Sequence, residues 1–367
     1  MKFWNTDRIL ERNADYNVIV GERSNGKTTG VLIYCLKEYF KSNKNKQFSI
    51  IRRWDTDLKS ALGLQMFSNL EHLGFIEKYS NGEFNSFVYK SRTWTLAKRD
   101  ENGEIVSLDV KPICYGFSIA SQQHYKSGAY PGIKNILFDE FISDNYYLPD
   151  EFNLFQNLLS TIIRLNDDIK IFMCGNTISK FTPYFKEMGL TNIRNMKKGV
   201  IDVYTYGDSD LKVAVEYSDF PAKKKKSDKY FAFNNPKLKM ITTGDWQINP
   251  YPKLPFKYYP SDVIYNFFVK FEEYTLQAEV IYLYDKDDVT FVYIHNKTSE
   301  IKNINDELIY SLDIHSPNKR YRQNILKAND RVTNKILYLL NTNQFYYQNN
   351  EIGDVFNHYL NQCKRAV

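Results

Sequence analysis

Short apolar runs alternate with amphipathic stretches through the first two hundred residues of the chain. Stretches 28–40 and 150–164 carry apolar residues on one helical face, and Asn-Gly pairs predict β-hairpins between residues 75 and 108. Buried strands are predicted for the apolar runs at 17–20, 48–51, 112–120, 136–138 and 169–174. This rhythm is typical of an α/β domain with a central, mostly parallel sheet.

The pattern changes after about residue 205. Residues 206–260 contain no long periodic segment and are predicted to form a linker or hinge region. Strand patterns then return at 263–271, 276–284 and 289–295, followed by helical stretches near 320–340 and 351–364. We therefore predict an N-terminal α/β domain over 1–205, a linker over 206–260 and a second α/β domain over 261–367.

Residues 21–28 match the pattern G-x-x-x-x-G-K-[ST] between the first predicted strand and the first predicted helix. In this motif the backbone N–H groups surround phosphate oxygens, the lysine neutralises the β and γ phosphates, and the hydroxyl ligates Mg²⁺. The N-terminus of the following helix also favours an anion. The predicted ATP-binding residues are Gly21, Glu22, Arg23, Ser24, Asn25, Gly26, Lys27 and Thr28, with Lys27 also acting in catalysis.

Two carboxylates, Asp139 and Glu140, follow the apolar run 136–138. With a phosphate loop upstream, Asp139 is predicted to hold Mg²⁺ together with Thr28. Glu140 is predicted to polarise the attacking water, which a small-molecule kinase would not need. The pair therefore favours ATP hydrolysis over phosphoryl transfer.

Other polar residues near strand and helix ends are weaker candidates. Asn176 and Thr177 follow the run 169–174 and are predicted to sense the γ-phosphate, or to form a simple turn. Arg164 either complements a helix dipole or reaches a neighbouring subunit's site as an arginine finger. The cations Arg52, Arg53 and Lys126 lie next to predicted strand ends or loops, and a trans-acting or coupling role is considered for Arg53 and Lys126. Trp4 and Asn5 either stack on and hydrogen-bond adenine, or Trp4 is a buried residue.

The net charge of +6 is unevenly distributed. Residues 221–240 hold seven lysines and one aspartate, an excess of six that equals the charge of the whole chain. The run Lys223, Lys224, Lys225 and Lys226 is predicted to contact a nucleic-acid backbone, the alternative being a solvated linker.

The four cysteines form no CxxC pair or Cys/His cluster, which predicts neither a zinc site nor a disulfide framework. No apolar segment has the length of a membrane span or a signal peptide, so we expect a soluble intracellular protein without a membrane partner.

Taken in order, these elements resemble the genome-packaging ATPases of small, protein-primed tailed phages, which are relatives of terminase large subunits. The resemblance is strong over residues 1–205, weak over 262–300 and not visible between them. Besides the phosphate loop and the acidic pair followed by Phe141, it is carried by residues 51–54 (Ile-Arg-Arg-Trp), 126–131 (Lys-Ser-Gly-Ala-Tyr-Pro), 163–164 (Ile-Arg), 175–176 (Gly-Asn) and 183–185 (Pro-Tyr-Phe).

The resemblance implies a P-loop ATPase domain of the type with an additional catalytic glutamate. It also implies a homo-oligomeric ring, of five subunits, that docks on the portal or connector and moves double-stranded DNA into a procapsid in the host cell cytoplasm. Arg164 falls at the position of the family's trans-acting arginine finger. A packaging RNA is a further partner in some members of the group.

The resemblance further implies a ribonuclease-H-like nuclease fold for 261–367. Full terminases keep the metal-binding carboxylates of this fold, and the small packaging motors have lost them. The acids near its strands are Glu272, Glu273, Glu279, Asp285, Asp287 and Asp288, and Asp313 is one lone strand acid. A two-metal nuclease needs several acids that converge, so we predict a vestigial nuclease retained for binding. Its nucleic-acid contacts are predicted at Lys319, Arg320 and Arg322, unless these form only a solvated helix face.

Three alternatives stay open at this point. A DNA helicase or recombination ATPase would share the core motifs, and a full terminase would carry a working nuclease. A nucleotide-gated scaffold would bind ATP without turnover, but it would not need Glu140.

Overall fold

The computed structural model describes residues 4–143, 147–164, 166, 168–207, 209–220, 246, 249–286, 288–312 and 318–365. The chain divides into two compact units, Met1–Gln247 and Ile248–Val367. Each unit is built on one sheet with helices, so the predicted α/β class is confirmed.

A ten-stranded sheet forms the centre of the N-terminal unit. Its strands are β1 (Tyr16–Gly21), β2 (Gln47–Arg52), β3 (Ser86–Lys90), β4 (Thr93–Arg99), β5 (Ile105–Leu108), β6 (Cys114–Ser118), β7 (Ile133–Asp139), β8 (Lys170–Asn176), β9 (Ile201–Thr205) and β10 (Lys212–Tyr217). They lie in the order β3-β4-β6-β2-β7-β8-β1-β10-β9, with β5 paired to β4. The run from β6 to β10 is parallel, and the antiparallel pairs lie toward the two ends.

Helices lie on both faces of this sheet. They are α1 (Asp7–Leu10), α2 (Lys27–Lys41), α3 (Ser60–Met66), α4 (Ser68–His72), α5 (Phe75–Tyr79), α6 (Glu151–Ile163) and α7 (Pro183–Glu187), with 3-10 turns at Asp55–Leu58 and Gln122–Tyr125. Neighbouring residues of a strand point to opposite faces, and Leu137 and Phe138 accordingly belong to different cores. Leu137 packs in the core that contains α2, and Phe138 packs in the core that contains α6.

The parallel arrangement determines where chemistry can occur. Strands β1, β2, β7 and β8 all end at the same edge of the sheet, and crevices at that edge are the usual ligand sites of open α/β sheets. The phosphate loop follows β1, and the acidic pair ends β7.

Two expectations from the sequence are wrong in detail. The hairpin region was predicted from residue 75, but 75–79 form α5 and the hairpins begin at Ser86. The linker was predicted from residue 206, but β10 at Lys212–Tyr217 pairs with β1 inside the large sheet. Its apolar run is short and precedes the lysine-rich stretch, so periodicity alone did not separate it from a loop.

The C-terminal unit contains a six-stranded sheet in the order β15-β14-β11-β12-β13-β16. The elements are β11 (Val263–Phe271), β12 (Tyr274–Leu283), β13 (Val289–Asn296), β14 (Leu308–Tyr310), β15 (Tyr321–Arg322), β16 (Phe345–Tyr347), α8 (Arg331–Asn341) and α9 (Asn350–Arg365). Strands β11 to β13 are an antiparallel meander, and β14 is parallel to β11. The helix expected from about 320 begins only at Arg331, because the Asp330 carboxylate accepts the N–H groups of Val332 and Thr333.

Candidate nucleotide site

The phosphate loop lies between β1 and α2, as its motif requires. Gly26 is the residue before α2 and has φ 90°, a left-handed conformation that suits glycine, and Ser24 has φ 63°. The loop lines a cavity of about 460 Å³ that also contacts Asp139, Glu140 and Asn176. The residues predicted at the ends of three separate strands therefore share one cavity.

Lys27 is buried under this loop, where its ammonium group contacts several oxygens. The Nζ atom donates to the carbonyl oxygens of Gly21 at 3.1 Å and Glu22 at 2.7 Å. It also donates to the side-chain oxygens of Asn25 at 3.1 Å and Asn176 at 3.3 Å. Burial lowers the pKa of Lys27 from 10.5 to about 8, against the opposing effect of nearby acids.

Thr28 and Asp139 form the second contact of the site. The Thr28 hydroxyl donates to Asp139 Oδ1 at 2.6 Å, which brings together the two oxygen ligands predicted for Mg²⁺. Burial raises the pKa of Asp139, while Arg52 and the Thr28 hydrogen bond act in the opposite direction. A hydroxyl and a carboxylate in contact at a phosphate loop fit a hard divalent cation.

Arg52 is a site residue for which the sequence predicted no role. Its guanidinium contacts Asp139 Oδ2 at 2.9 Å and Glu140 Oε2 at 2.7 Å, and its Nε lies 3.5 Å from Asp57 Oδ2. One arginine thus binds both carboxylates of the acidic pair. The signal was present in the sequence, since Arg52 ends a strand, but it required the knowledge that β2 lies beside β7.

Glu140 lies just beyond the end of β7 in an unusual backbone conformation. Its φ is 56°, in the left-handed region, and its side chain is 59% exposed. Positive φ at a residue other than glycine is uncommon and concentrates at functional sites. The conformation turns the Glu140 carboxylate toward solvent and Arg52.

Arg53 was predicted as a trans-acting or coupling cation, and its burial contradicts the trans-acting role. The side chain is 7% exposed, and its Nε donates to both carboxylate oxygens of the fully buried Glu151 at 3.0 and 2.8 Å. Its other nitrogens donate to the carbonyl oxygens of Glu140 at 3.4 Å and Phe141 at 2.7 Å. Arg53 therefore supports the backbone at the acidic pair from inside the core, and a coupling role stays a prediction.

The two sensor candidates differ in position. Asn176 ends β8, and its side-chain oxygen accepts from Lys27, so it belongs to the cavity. Thr177 is the next residue and is buried.

Arg164 follows α6 and is exposed, as a residue that reaches a neighbour must be. Its Nη2 donates to the carbonyl oxygen of Lys126 and its Nη1 to that of Gly128 at 3.5 Å. Lys126 is itself exposed. These two predicted residues thus lie in contact, with Lys126 on the loop that precedes β7 and Arg164 at the end of α6.

Trp4 occupies a structural position. Its ring is buried, and its Nε1 donates to Glu216 at 2.9 Å. A Cβ on Gly30 would lie 2.1 Å from the Trp4 carbonyl oxygen, so the backbone at Trp4 packs closely against helix α2. The buried-tryptophan alternative is therefore correct. Asn5 is exposed, and its side-chain oxygen accepts the N–H of Asp7.

Residues 1–230 match the family model of the podovirus DNA encapsidation protein (Gp16). The chain belongs to this family. It is 26% identical over 203 residues to the DNA packaging protein of Bacillus phage phi29, which is 54% of this chain and 54% of that protein. It is 27% identical over 187 residues to the DNA packaging protein of Bacillus phage B103, which is 50% of this chain and 49% of that protein. The chain thus aligns with about half the length of the curated relatives it matches.

Solved structures extend the likeness of this family member beyond the aligned sequence. One is the phi-29 viral genome packaging motor assembly, with a TM-score of 0.58 and 20% identity over 98% of this chain and 99% of that chain. Another is the Phi-28 gp11 DNA packaging motor, with a TM-score of 0.52 and 19% identity over 99% of this chain and 97% of that chain. At such identities the likeness concerns the fold.

Two of the predicted nucleic-acid residues of the C-terminal unit, Arg320 and Arg322, have side-chain partners within that unit. Arg322 lies in β15, with its Nε 3.1 Å from an oxygen of Asp330, and Arg320 donates to the carbonyl oxygen of Asp306 at 2.5 Å. Lys319 is exposed. The run Lys223–Lys226 and the lone acid Asp313 lie outside the described residues.

The described part of this family member shows neither a group of metal-ligating side chains nor a helix that could span a membrane. Within it, no three His, Cys, Asp or Glu side chains come together as a metal cluster. Its helices are each too short or too polar to cross a bilayer.

Proposed function

We propose that this chain is the ATP-hydrolysing subunit of a motor that moves viral double-stranded DNA into a procapsid. The observation that carries the proposal is the contact of Thr28 with Asp139 beside the phosphate loop, with Glu140 next in sequence. Membership of the DNA encapsidation family supports the choice of DNA packaging over a helicase or recombination ATPase.

ATP and Mg²⁺ are the proposed cofactors. The loop N–H groups and the Lys27 ammonium suit the phosphates, since phosphate oxygens are stronger acceptors than the carbonyl oxygens that Lys27 contacts in the structure. Thr28 and Asp139 would hold the cation, which would neutralise phosphate charge.

Glu140 is proposed as the group that orients and deprotonates the attacking water. A general base must lie within about 3 Å of the proton it takes, directly or through one water. The contact of Glu140 Oε2 with Arg52 at 2.7 Å fixes the carboxylate beside Asp139. We propose that this contact breaks before hydrolysis, which the exposure of the Glu140 side chain permits.

Arg164 is proposed to act in a neighbouring subunit. Its exposed guanidinium is anchored by two backbone carbonyl groups, which orient the side chain without neutralising its charge. A finger of this kind stabilises the charge of the transferring phosphoryl group. The proposed assembly is therefore a homo-oligomeric ring, of five subunits by the family resemblance, since each site needs its neighbour.

The remaining proposals concern partners and place. The ring would dock on the portal or connector of an assembling procapsid in the host cell cytoplasm, with a packaging RNA as a further candidate partner. The fold likeness to two packaging motors supports this assembly. We propose that the C-terminal unit binds nucleic acid and does not cut it, and that the part of the predicted linker that follows β10 acts as a hinge.

The test separates binding from hydrolysis. Lys27→Ala should lose ATP affinity, whereas Glu140→Gln should still bind ATP but hydrolyse it about 100-fold more slowly, because a positioned catalytic group commonly contributes that much. ATP binding is measured with a fluorescent analogue, and turnover by phosphate release with and without duplex DNA. Glu101→Gln is the matched control, since Glu101 is exposed in the turn between β4 and β5 and is not among the residues that line the cavity. Equal turnover by wild type and Glu140→Gln would refute the assignment.

A further inference from the structure

The turn between β3 and β4 has an unusual sequence for its shape. It consists of Ser91 and Arg92, which both have positive φ, 51° and 63°. Two-residue turns of this type favour Asn-Gly, because side chains with a branched or long carbon chain disfavour the left-handed conformation. A residue kept in such a conformation suggests that its side chain has a function.

The Arg92 side chain joins two segments that are distant in sequence. Its Nη2 lies 2.7 Å from Asp55 Oδ1 in the 3-10 turn Asp55–Leu58. Its Nη1 donates to the hydroxyl of Tyr125, and its guanidinium lies 6.0 Å from the centre of the Tyr125 ring. The Tyr125 ring packs edge-on against buried Phe117 with centroids 5.0 Å apart. Arg92 thus binds the hydroxyl of Tyr125, and Phe117 supports the ring of the same side chain.

Tyr125 in turn begins the loop that holds Arg164. The Tyr125 carbonyl oxygen accepts the N–H of Gly128 at 2.8 Å, which closes the loop 125–128. The carbonyl oxygens of Lys126 and Gly128 are the two acceptors for the Arg164 guanidinium. The position of Arg164 therefore depends on the position of this loop.

We infer that Arg92 is a positioning residue for Arg164: through Tyr125 it fixes the loop that orients the exposed guanidinium toward the neighbouring subunit. The inference rests on the proposed trans-acting role of Arg164. Each subunit then has two functions: it contains its own nucleotide site, and it provides Arg164 to the site of a neighbouring subunit. Arg92 serves the second.

Mixed assemblies distinguish this role from a general effect on folding. The reference mixture combines an acceptor chain, Arg164→Ala, with a donor chain, Glu140→Gln, so that some interfaces hold an intact Glu140 and an intact Arg164. Arg92→Met is then added to one chain at a time. In the donor chain it should lower the recovered ATPase rate about fivefold, whereas in the acceptor chain the change should stay within about twofold, because loss of a supporting contact misplaces only the group it supports.

Two further variants complete the experiment. Tyr125→Phe in the donor chain removes the hydroxyl but keeps the ring, and should lower the recovered rate in the same direction as Arg92→Met. Arg99→Met is the matched control. Arg99 lies on the same hairpin, and its guanidinium donates to the carbonyl oxygen of Gly103, which is close in sequence. It should leave both mixtures unchanged.

Each outcome has one meaning. Equal losses in donor and acceptor chains, or no loss in either, would overturn the positioning role of Arg92 while leaving Arg164 in trans. A reference mixture that recovers no more than the sum of its two chains would overturn the trans role itself, and the inference with it.

Discussion

The buried pair of Arg53 and Glu151 should be among the most sensitive points of the N-terminal unit. Both side chains are almost inaccessible, at 7% and 0% exposure, and the Arg53 Nε contacts both carboxylate oxygens. Glu151 also accepts from the Tyr184 hydroxyl and from the Leu148 N–H, each at 2.7 Å. Each Glu151 carboxylate oxygen thus accepts two hydrogen bonds.

Glu151→Gln should lower the free energy of unfolding by about 3 kcal/mol. Removing one partner of a buried ion pair typically costs about 3–5 kcal/mol, because the other charge is left without compensation. The lower end applies here, since the glutamine oxygen still accepts one hydrogen bond and Arg53 keeps its contact with the Phe141 carbonyl oxygen. Arg53→Met should cost about 4 kcal/mol, because it also removes the donors to two backbone carbonyl groups.

The double variant Arg53→Met/Glu151→Leu distinguishes ion pairing from packing. Replacing both charges by apolar side chains is often nearly neutral. Here the Leu148 N–H and the Tyr184 hydroxyl lose an acceptor, and two backbone carbonyl groups lose a donor, at about 1 kcal/mol each. The double variant should therefore lose about 4 kcal/mol, less than the sum of about 7 kcal/mol for the single changes.

Urea unfolding followed by tryptophan fluorescence measures these changes in the relevant unit. All four tryptophans, Trp4, Trp54, Trp94 and Trp246, lie in the N-terminal unit. Glu83→Gln is the control, since Glu83 pairs with Lys44 at the surface and should contribute less than about 1 kcal/mol. A loss for Glu151→Gln no larger than that of Glu83→Gln, or additive losses in the double variant, would refute the reasoning.

Three further predictions concern ligands. Because the pKa of Lys27 is lowered to about 8, the amine is about three-quarters neutral at pH 8.5, and binding of ATPγS should take up roughly 0.7 proton. Calorimetry in buffers of different ionisation enthalpy measures the proton uptake. Equal proton uptake by Lys27→Arg would contradict the role of the Lys27 amine. Plasmid incubated with excess protein and Mg²⁺ or Mn²⁺ should stay intact, and metal-dependent nicking that Asp313→Asn abolishes would oppose this. Replacing Lys223–Lys226 by alanine should weaken binding to unrelated duplexes alike and reduce the salt slope by roughly 0.9 per lost contact, whereas an unchanged slope would assign the run to a solvated linker.

Patterns that are local along the sequence predict much of the fold of the N-terminal unit. The strand at β1, the glycines of the phosphate loop and the helix α2 are adjacent in sequence, so their period and turn chemistry predict both the structure and the position of Lys27. The apolar strand β7 likewise predicts the position of the acidic pair at its end. In these cases the residues that determine the conformation are the residues that do the chemistry.

Contacts between distant segments could not be predicted in the same way. Arg52 and Arg53 are neighbours with the same side chain, yet Arg52 contacts the carboxylates of the acidic pair and Arg53 lies in the core, because successive residues at the end of β2 point in different directions. Their partners Glu140 and Glu151 lie 88 and 98 residues away. Only the strand order β6-β2-β7 brings these residues together, and no local pattern encodes that order.

The 3-10 turn Asp55–Leu58 contacts both halves of the proposed motor chemistry. Asp57 lies 3.5 Å from Arg52, which binds the Asp139 and Glu140 carboxylates of the subunit's own site. Asp55, two residues earlier, binds Arg92, which supports the loop of Arg164. A shift of Arg52 when Glu140 is released would therefore act on the same four-residue turn that supports the arginine lent to the neighbour. In the proposed ring, communication between neighbouring sites requires a link within each subunit, since otherwise the state of one site could not affect the next. This short turn supplies a continuous set of contacts for such a link.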